Sequence, residues 1–199
     1  MPRTSLRGLV LLAMIVISAP AWAQQGALTV PRNLQQLTDR AAHIVRGNVV
    51  SARMERHPEL GLPMLAVKVH VRETLKGPHQ PTFTFRQYIW DYRDRMTAAN
   101  YRKGDDVLLL MIAPSRYGLS SPAGMEQGRF RILRDGQGRE MAVNGHGNAR
   151  LFDGLEAQVA KQGVTLSAAS LQMVQRPPRG PVEARQLSGL IRELVRGSR

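Results

Sequence analysis

The residues able to do chemistry are few and scattered. Imidazole is the side chain best suited to proton transfer and metal binding near neutral pH, and the chain has five: His43, His57, His70, His79 and His146. None stands in an HExxH or other paired-ligand spacing. Asp105 with Asp106, and Asp91 with Asp94, have the residue type for acid–base pairs. They fit better as charges that bound a buried strand or neutralise neighbouring arginines. Ser120 and Ser121 lack the GxSxG context that exposes a nucleophile, and the glycines of Gly145-His146-Gly147-Asn148 offer at best a weak anion nest. With no cysteine in 199 residues, thiol nucleophiles, Cys-type zinc sites and iron–sulfur clusters are excluded. The sequence therefore assigns no catalytic residue, no metal ligand set and no cofactor.

One stretch carries binding chemistry instead. Between Arg86 and Lys103, Tyr88, Trp90, Tyr92 and Tyr101 alternate with Arg86, Arg93, Arg95 and Arg102. Aromatic rings supply apolar contact and stacking, while guanidinium groups recognise carboxylate or phosphate through paired hydrogen bonds. These eight residues form the candidate contact surface. Tyr88, Trp90 and Tyr92 serve equally well as a cover packed over the β-structure.

The bulk charge agrees with an anionic partner. The formal net charge is +13, and arginines greatly outnumber the lysines, which are only Lys68, Lys76, Lys103 and Lys161. A surface this basic attracts lipid head groups, acidic glycans or acidic envelope proteins in a salt-dependent way. Nucleic acid is a poor candidate, because the amino terminus reads as an export signal. Arg3 and Arg7 precede an apolar run from Leu9 to Ile17, and Ala21-Trp22-Ala23 supplies small residues for cleavage. The run is shorter than the roughly 20 residues that span a bilayer. Residues 1–23 are thus expected to be a signal peptide, the mature chain to begin at Gln24, and the protein to be periplasmic or secreted with no remaining transmembrane span.

The elements that must position these residues follow from hydrophobic period. In Met64 to Gly77, Leu65, Val67, Val69 and Val71 alternate with Ala66, Lys68, His70 and Arg72, which predicts a long strand with one buried and one wet face. Around it the sequence predicts a helix over 31–41 with Pro31 in its first turn, a strand from Ile44 to Ala52 bent or bulged at Gly47, and a strand from Thr82 to Tyr88. Asp106 to Ala113 is a continuous apolar run of strand length. Arg129 to Leu133 and Glu140 to Val143 flank Asp135-Gly136, a hairpin turn signal. Further on, Asp153 is placed to cap a helix ending at Gly163, and Leu166 to Val174 is ambiguous between helix and strand. From Val182 to Val195, Leu187, Leu190, Ile191, Leu194 and Val195 repeat at helical spacing.

The order of helix, IVRGNVVSAR, variable loop, alternating strand and LKGP resembles the start of the netrin-like or tissue-inhibitor-of-metalloproteinase OB-fold. The resemblance covers residues 41–78 in motif and continues to about 145 in strand order. The run GMEQGRFRILRDGQGREMAVN is also similar to a set of uncharacterised exported bacterial proteins. Those animal inhibitors bind the protease metal through an amino-terminal Cys, and here Gln24 would stand at that end. The inhibitory chemistry is therefore not implied, although the barrel is.

The expected architecture is mainly β: a small OB-like antiparallel barrel of five to six strands over residues 24–150, with a short N-terminal helix, and a C-terminal helical extension over 151–199 packed on the barrel. The expected function is that of an exported noncatalytic binding module contacting an anionic or protein partner through Arg86, Tyr88, Trp90, Tyr92, Arg93, Arg95, Tyr101 and Arg102. The alternative is an exported hydrolase with an unrecognised active site.

Overall fold

The computed structural model describes residues 30–89 and 101–198. The expected leader and cleavage site, and Trp90, Tyr92, Arg93 and Arg95, lie outside the described residues.

Seven antiparallel strands form one sheet: β1 (His43–Arg56), β2 (Pro63–Lys76), β3 (Thr82–Tyr88), β4 (Asp106–Met111), β5 (Arg129–Arg134), β6 (Glu140–Asn144) and β7 (Val182–Glu183). Their order is β3-β2-β1-β4-β5-β6-β7. The sheet is open, with β3 and β7 as its two edges, so the OB-like barrel is not formed. A barrel requires its outer strands to pair with one another, and the ladders end at β2–β3 on one side and β6–β7 on the other. The implied kinship with netrin-like OB-folds falls with the closure. Period-2 alternation says which face of a strand is buried and nothing about whether the outer strands meet.

The strand readings themselves hold up within a few residues. Leu65, Val67, Val69 and Val71 share a buried face, because that face of β2 meets β1 and β3 in register: Val49, Val69 and Phe83 form one cross-strand row, Ala52, Val67 and Phe85 the next. The β2 strand is second from an edge, and β4 is the middle strand. Its uninterrupted DVLLLM is explained by burial on both faces: Val107, Leu109 and Met111 join the cluster of β1–β3, while Leu108 and Leu110 face the helices. Asp135 builds the β5–β6 turn as expected. Its carboxylate accepts the backbone N–H groups of Gln137 and Arg139, both at 2.9 Å.

Four helices are seen among the described residues: α1 (Leu34–Arg40), α2 (Leu155–Gln162), α3 (Ala168–Gln175) and α4 (Ala184–Gly197). The first begins three residues after Pro31, since Asn33 and Gln36 form a reciprocal capping box that fixes its start. The second is not capped by Asp153, whose carboxylate pairs with Arg150 at 3.0 Å. Gly154 at φ 64° stands at that cap instead. Ser167 caps α3 and settles the ambiguous stretch as helix.

The apolar stripe of α4, with Leu187, Leu190, Ile191, Leu194 and Val195, is buried in the same core as Leu108, Leu110, Phe130 and Ala142 of the sheet. Residues 151–198 therefore share one core with the β region. They also contribute the edge strand β7 through Val182, which pairs with Ala142. On the opposite face the segment 112–122 crosses from β4 to β3, bridging Met111 to Pro122 and Arg86 to Leu119.

Candidate functional site

The helices cover only part of their side of the sheet. Beyond them the register of β1, β2 and β3 lays out a platform in three rows: Arg53–Ala66–Arg86, Ser51–Lys68–Thr84 and Asn48–His70–Thr82. Neighbouring strands lie about 4.8 Å apart, so Arg53 and Arg86 flank the small Ala66 at roughly 10 Å from backbone to backbone. Arg53, Lys68, His70, Thr84 and Arg86 are all exposed. Ala66, Ser51 and the threonines keep the surface between the cations low.

Charge is unevenly compensated across this face. Towards the helices, Arg46 pairs with Glu140 at 2.6 Å and Asp106 at 3.7 Å, and Arg72 with Asp106 at 2.9 Å. Burial pushes the Asp106 carboxyl above the usual carboxylate range, and the guanidinium groups of Arg46 and Arg72 pull it back. The hydrogen bond from Arg46 holds Glu140 below its ordinary value. A further pair, Glu73 with Arg192, ties β2 to α4. Across the platform itself the compensation is thin: Arg86 meets Glu55 at 3.8 Å, and Arg53 and Lys68 have no carboxylate partner among the described residues.

Beside the platform, β3 borders a cleft of about 400 Å3 walled by Phe83, Phe85, Ile112, Pro114 and His43. The far wall is the 112–120 segment, and it is held at several points. Ser120 donates its backbone N–H to the Arg86 carbonyl at 2.7 Å and its hydroxyl to the Ile112 carbonyl, also at 2.7 Å. His57, buried in the β1–β2 connection, accepts the N–H groups of Glu59 and Leu60 on Nδ1. Its Nε2 then donates to the Tyr117 carbonyl at 2.8 Å. An acceptor Nδ1 requires the Nε2–H tautomer.

The sequence candidates separate on this frame. Arg86 is exposed on the platform and Arg102 is exposed just before β4. Tyr88 is half-buried at the end of β3. Tyr101 is a correction: it is 3% exposed, packed edge-on against Phe85 at 5.5 Å and roofed by the Arg129 guanidinium at 4.9 Å. Burial raises its phenol above the usual range. It belongs to the core on the face opposite the platform, so the structure does not bring Arg86 and Tyr101 to one surface. An Arg–aromatic interleaving reads the same whether the stacking partner is a ligand or an arginine 28 residues further along.

Arg53, Lys68 and Thr84 carry the site without having been singled out, since only the register shows that they converge. The polar positions of the β2 and β3 alternation were the signal for Lys68 and Thr84, and Arg53 had none. Of the acid and nucleophile candidates, Asp91 and Asp94 lie outside the described residues, and Asp106 and Ser120 are occupied structurally. Asp106 is clamped by two arginines, and Ser120 bonds backbone. In the GHGN turn the Asn144 side chain itself accepts the N–H groups of His146 and Asn148, at 3.0 and 2.8 Å. Among the described residues no group of three or more His, Asp or Glu side chains gathers to hold a metal ion.

Comparison with protein-family models, curated proteins and solved structures returns no match for this chain. The platform and cleft therefore carry the functional reading on their own geometry. No helix among the described residues is long and apolar enough to cross a membrane.

Proposed function

We propose that this chain is an exported, noncatalytic binding module that holds an anionic partner on the outer face of β1–β3. The observation that carries the reading is the convergence of Arg53, Lys68 and Arg86 on an exposed three-strand surface where, among the described residues, the one acid pairing is the loose contact of Arg86 with Glu55. Cations left uncompensated in one place attract anions over the screening length of the solution, ~8 Å at physiological ionic strength. The basic net charge and the leader-like amino terminus support the same reading. The fixed tautomer of His57 and the ion-paired Asp106 give these groups structural work and weigh against a hydrolase.

The test separates a site from bulk charge. Arg53→Glu, Lys68→Glu and Arg86→Glu are combined in one variant. Arg176→Glu, Arg179→Glu and Arg185→Glu, all exposed, make a second variant with the same change in net charge. Binding to fluorescent polyglutamate, a plain polyanion, is then measured by anisotropy at low and physiological salt. The platform variant is expected to lose about tenfold or more in affinity, with the control losing far less and both losses shrinking as salt rises. Equal losses in the two variants would overturn the reading.

A further inference from the structure

We infer that the exposed edge of β3 is a strand-addition site that takes an extended polypeptide in which acidic and apolar residues alternate. The inference rests on the reading of the outer face as an anion-binding surface, and it names the partner as a peptide strand.

The backbone supplies the first half of the case. In an antiparallel ladder alternate residues turn both N–H and C=O towards the partner strand, and those between turn them away. Val71 donates to the Pro81 carbonyl at 2.9 Å and Ile89 to the Pro63 carbonyl at 3.4 Å. With the β2–β3 register unbroken between them, Phe83, Phe85 and Gln87 face β2, and Thr82, Thr84 and Arg86 face outward. The outward direction is shown directly by the Arg86 carbonyl, which accepts the Ser120 N–H from the far side. The 118–120 segment occupies the edge there, running parallel to β3. It turns away at Ser115–Gly118, which leaves the N–H and C=O groups of Thr82 and Thr84 without a backbone partner among the described residues. Four such groups in a row are a template for another strand.

Side chains supply the second half. A strand added beside Thr82–Phe85 alternates its own side chains between the two faces of the sheet. On one face they meet the cleft walled by Phe83, Phe85 and Ile112, which suits aliphatic or aromatic groups. On the other they lie alongside Thr82 and Thr84, beside Arg86 and one strand away from Lys68, which has no carboxylate partner among the described residues, and this suits carboxylates. Charge complementarity selects an acidic peptide over a second copy of this chain, whose own β3 would bring Arg86 and the net charge of +13 against a like surface.

The probe is a short synthetic peptide alternating glutamate with leucine, labelled with fluorescein and titrated with the purified protein. Two control peptides are used: one with lysine for glutamate, and one N-methylated on alternate amides so that it cannot complete a ladder. Thr84→Pro is the protein control, because its N–H points away from β2 and an edge strand tolerates proline there. The glutamate peptide is expected to bind, with the lysine peptide, the N-methylated peptide and the Thr84→Pro protein each weaker by about tenfold or more. If Thr84→Pro does not fold, the N-methylated peptide decides the matter on the unaltered protein. Equal binding of the methylated and unmethylated peptides overturns strand addition and leaves the anion-binding reading standing. Loss of all anionic binding overturns both. A concentration-dependent dimer with no peptide binding overturns the inference by giving the edge to a second copy.

Discussion

Val69→Asp lowers the stability of the folded protein by about 4 kcal/mol, as a carboxylate forced into an apolar site without a partner should. Val69 is fully buried and sits at the centre of the row Val49–Val69–Phe83. Its two flanking neighbours are therefore apolar, and rotation to the outer face is forbidden by the pleat. A one-residue slip of β2 would rescue the aspartate only by carrying Leu65, Val67 and Val71 into water at the same time. For a domain of this size the loss corresponds to roughly 8 to 16 °C in melting temperature, read by calorimetry or circular dichroism. A variant that melts within ~2 °C of the parent would mean that this face of β2 is not in the core.

Gly47→Ala has the second largest expected effect and a different cause. A Cβ built on Gly47 lies 2.0 Å from the backbone oxygen of His70 and 3.0 Å from a methyl of Val69. The first of these is main chain in the adjacent strand, so no rotamer change relieves it. The β1–β2 ladder already shifts register between Arg46 and Gly47, and closing that irregularity around a methyl group means separating the strands. The expected cost is about 3 kcal/mol, at the upper end of what overpacking produces, with the denaturant midpoint falling and the slope unchanged. A neutral or stabilising Gly47→Ala, of the kind seen where glycine merely adds freedom to the unfolded chain, would show that the close approach is not maintained in solution.

These two residues also mark what could be read in advance. Val69 was legible because a strand buried on one face writes its period into the sequence, and the same holds for β3, whose Thr82–Tyr88 bounds are the predicted ones. Gly47 was legible as an irregularity within a β-branched run, although its reason, the His70 carbonyl, lies 23 positions away. Closure was not legible. Whether β3 returns to meet the far edge depends on strand order and on which strand occupies that edge. The occupant is β7, which is two residues long and directly precedes α4, too short to show any period. The site was half legible for a related reason. Arg86 stood in a conspicuous Arg–aromatic stretch, but Arg53 and Lys68 join it only through pairing registers, and those depend on the β1 bulges at Gly47 and between Val49 and Ser51. Tyr101 was misplaced because its partner, Arg129, arrives from β5.

Backbone amide chemical shifts followed by NMR, as unlabelled polyglutamate is added to the isotope-labelled protein at low salt, test most directly the claim that the outer face of β1–β3 is where an anionic partner sits. Perturbations are expected to concentrate in residues 48–53, 66–70 and 82–86 and to fade as salt is raised, with α2, α3 and α4 unchanged. Perturbations spread evenly over the exposed arginines of the protein, or centred on the arginines of α4, would contradict it.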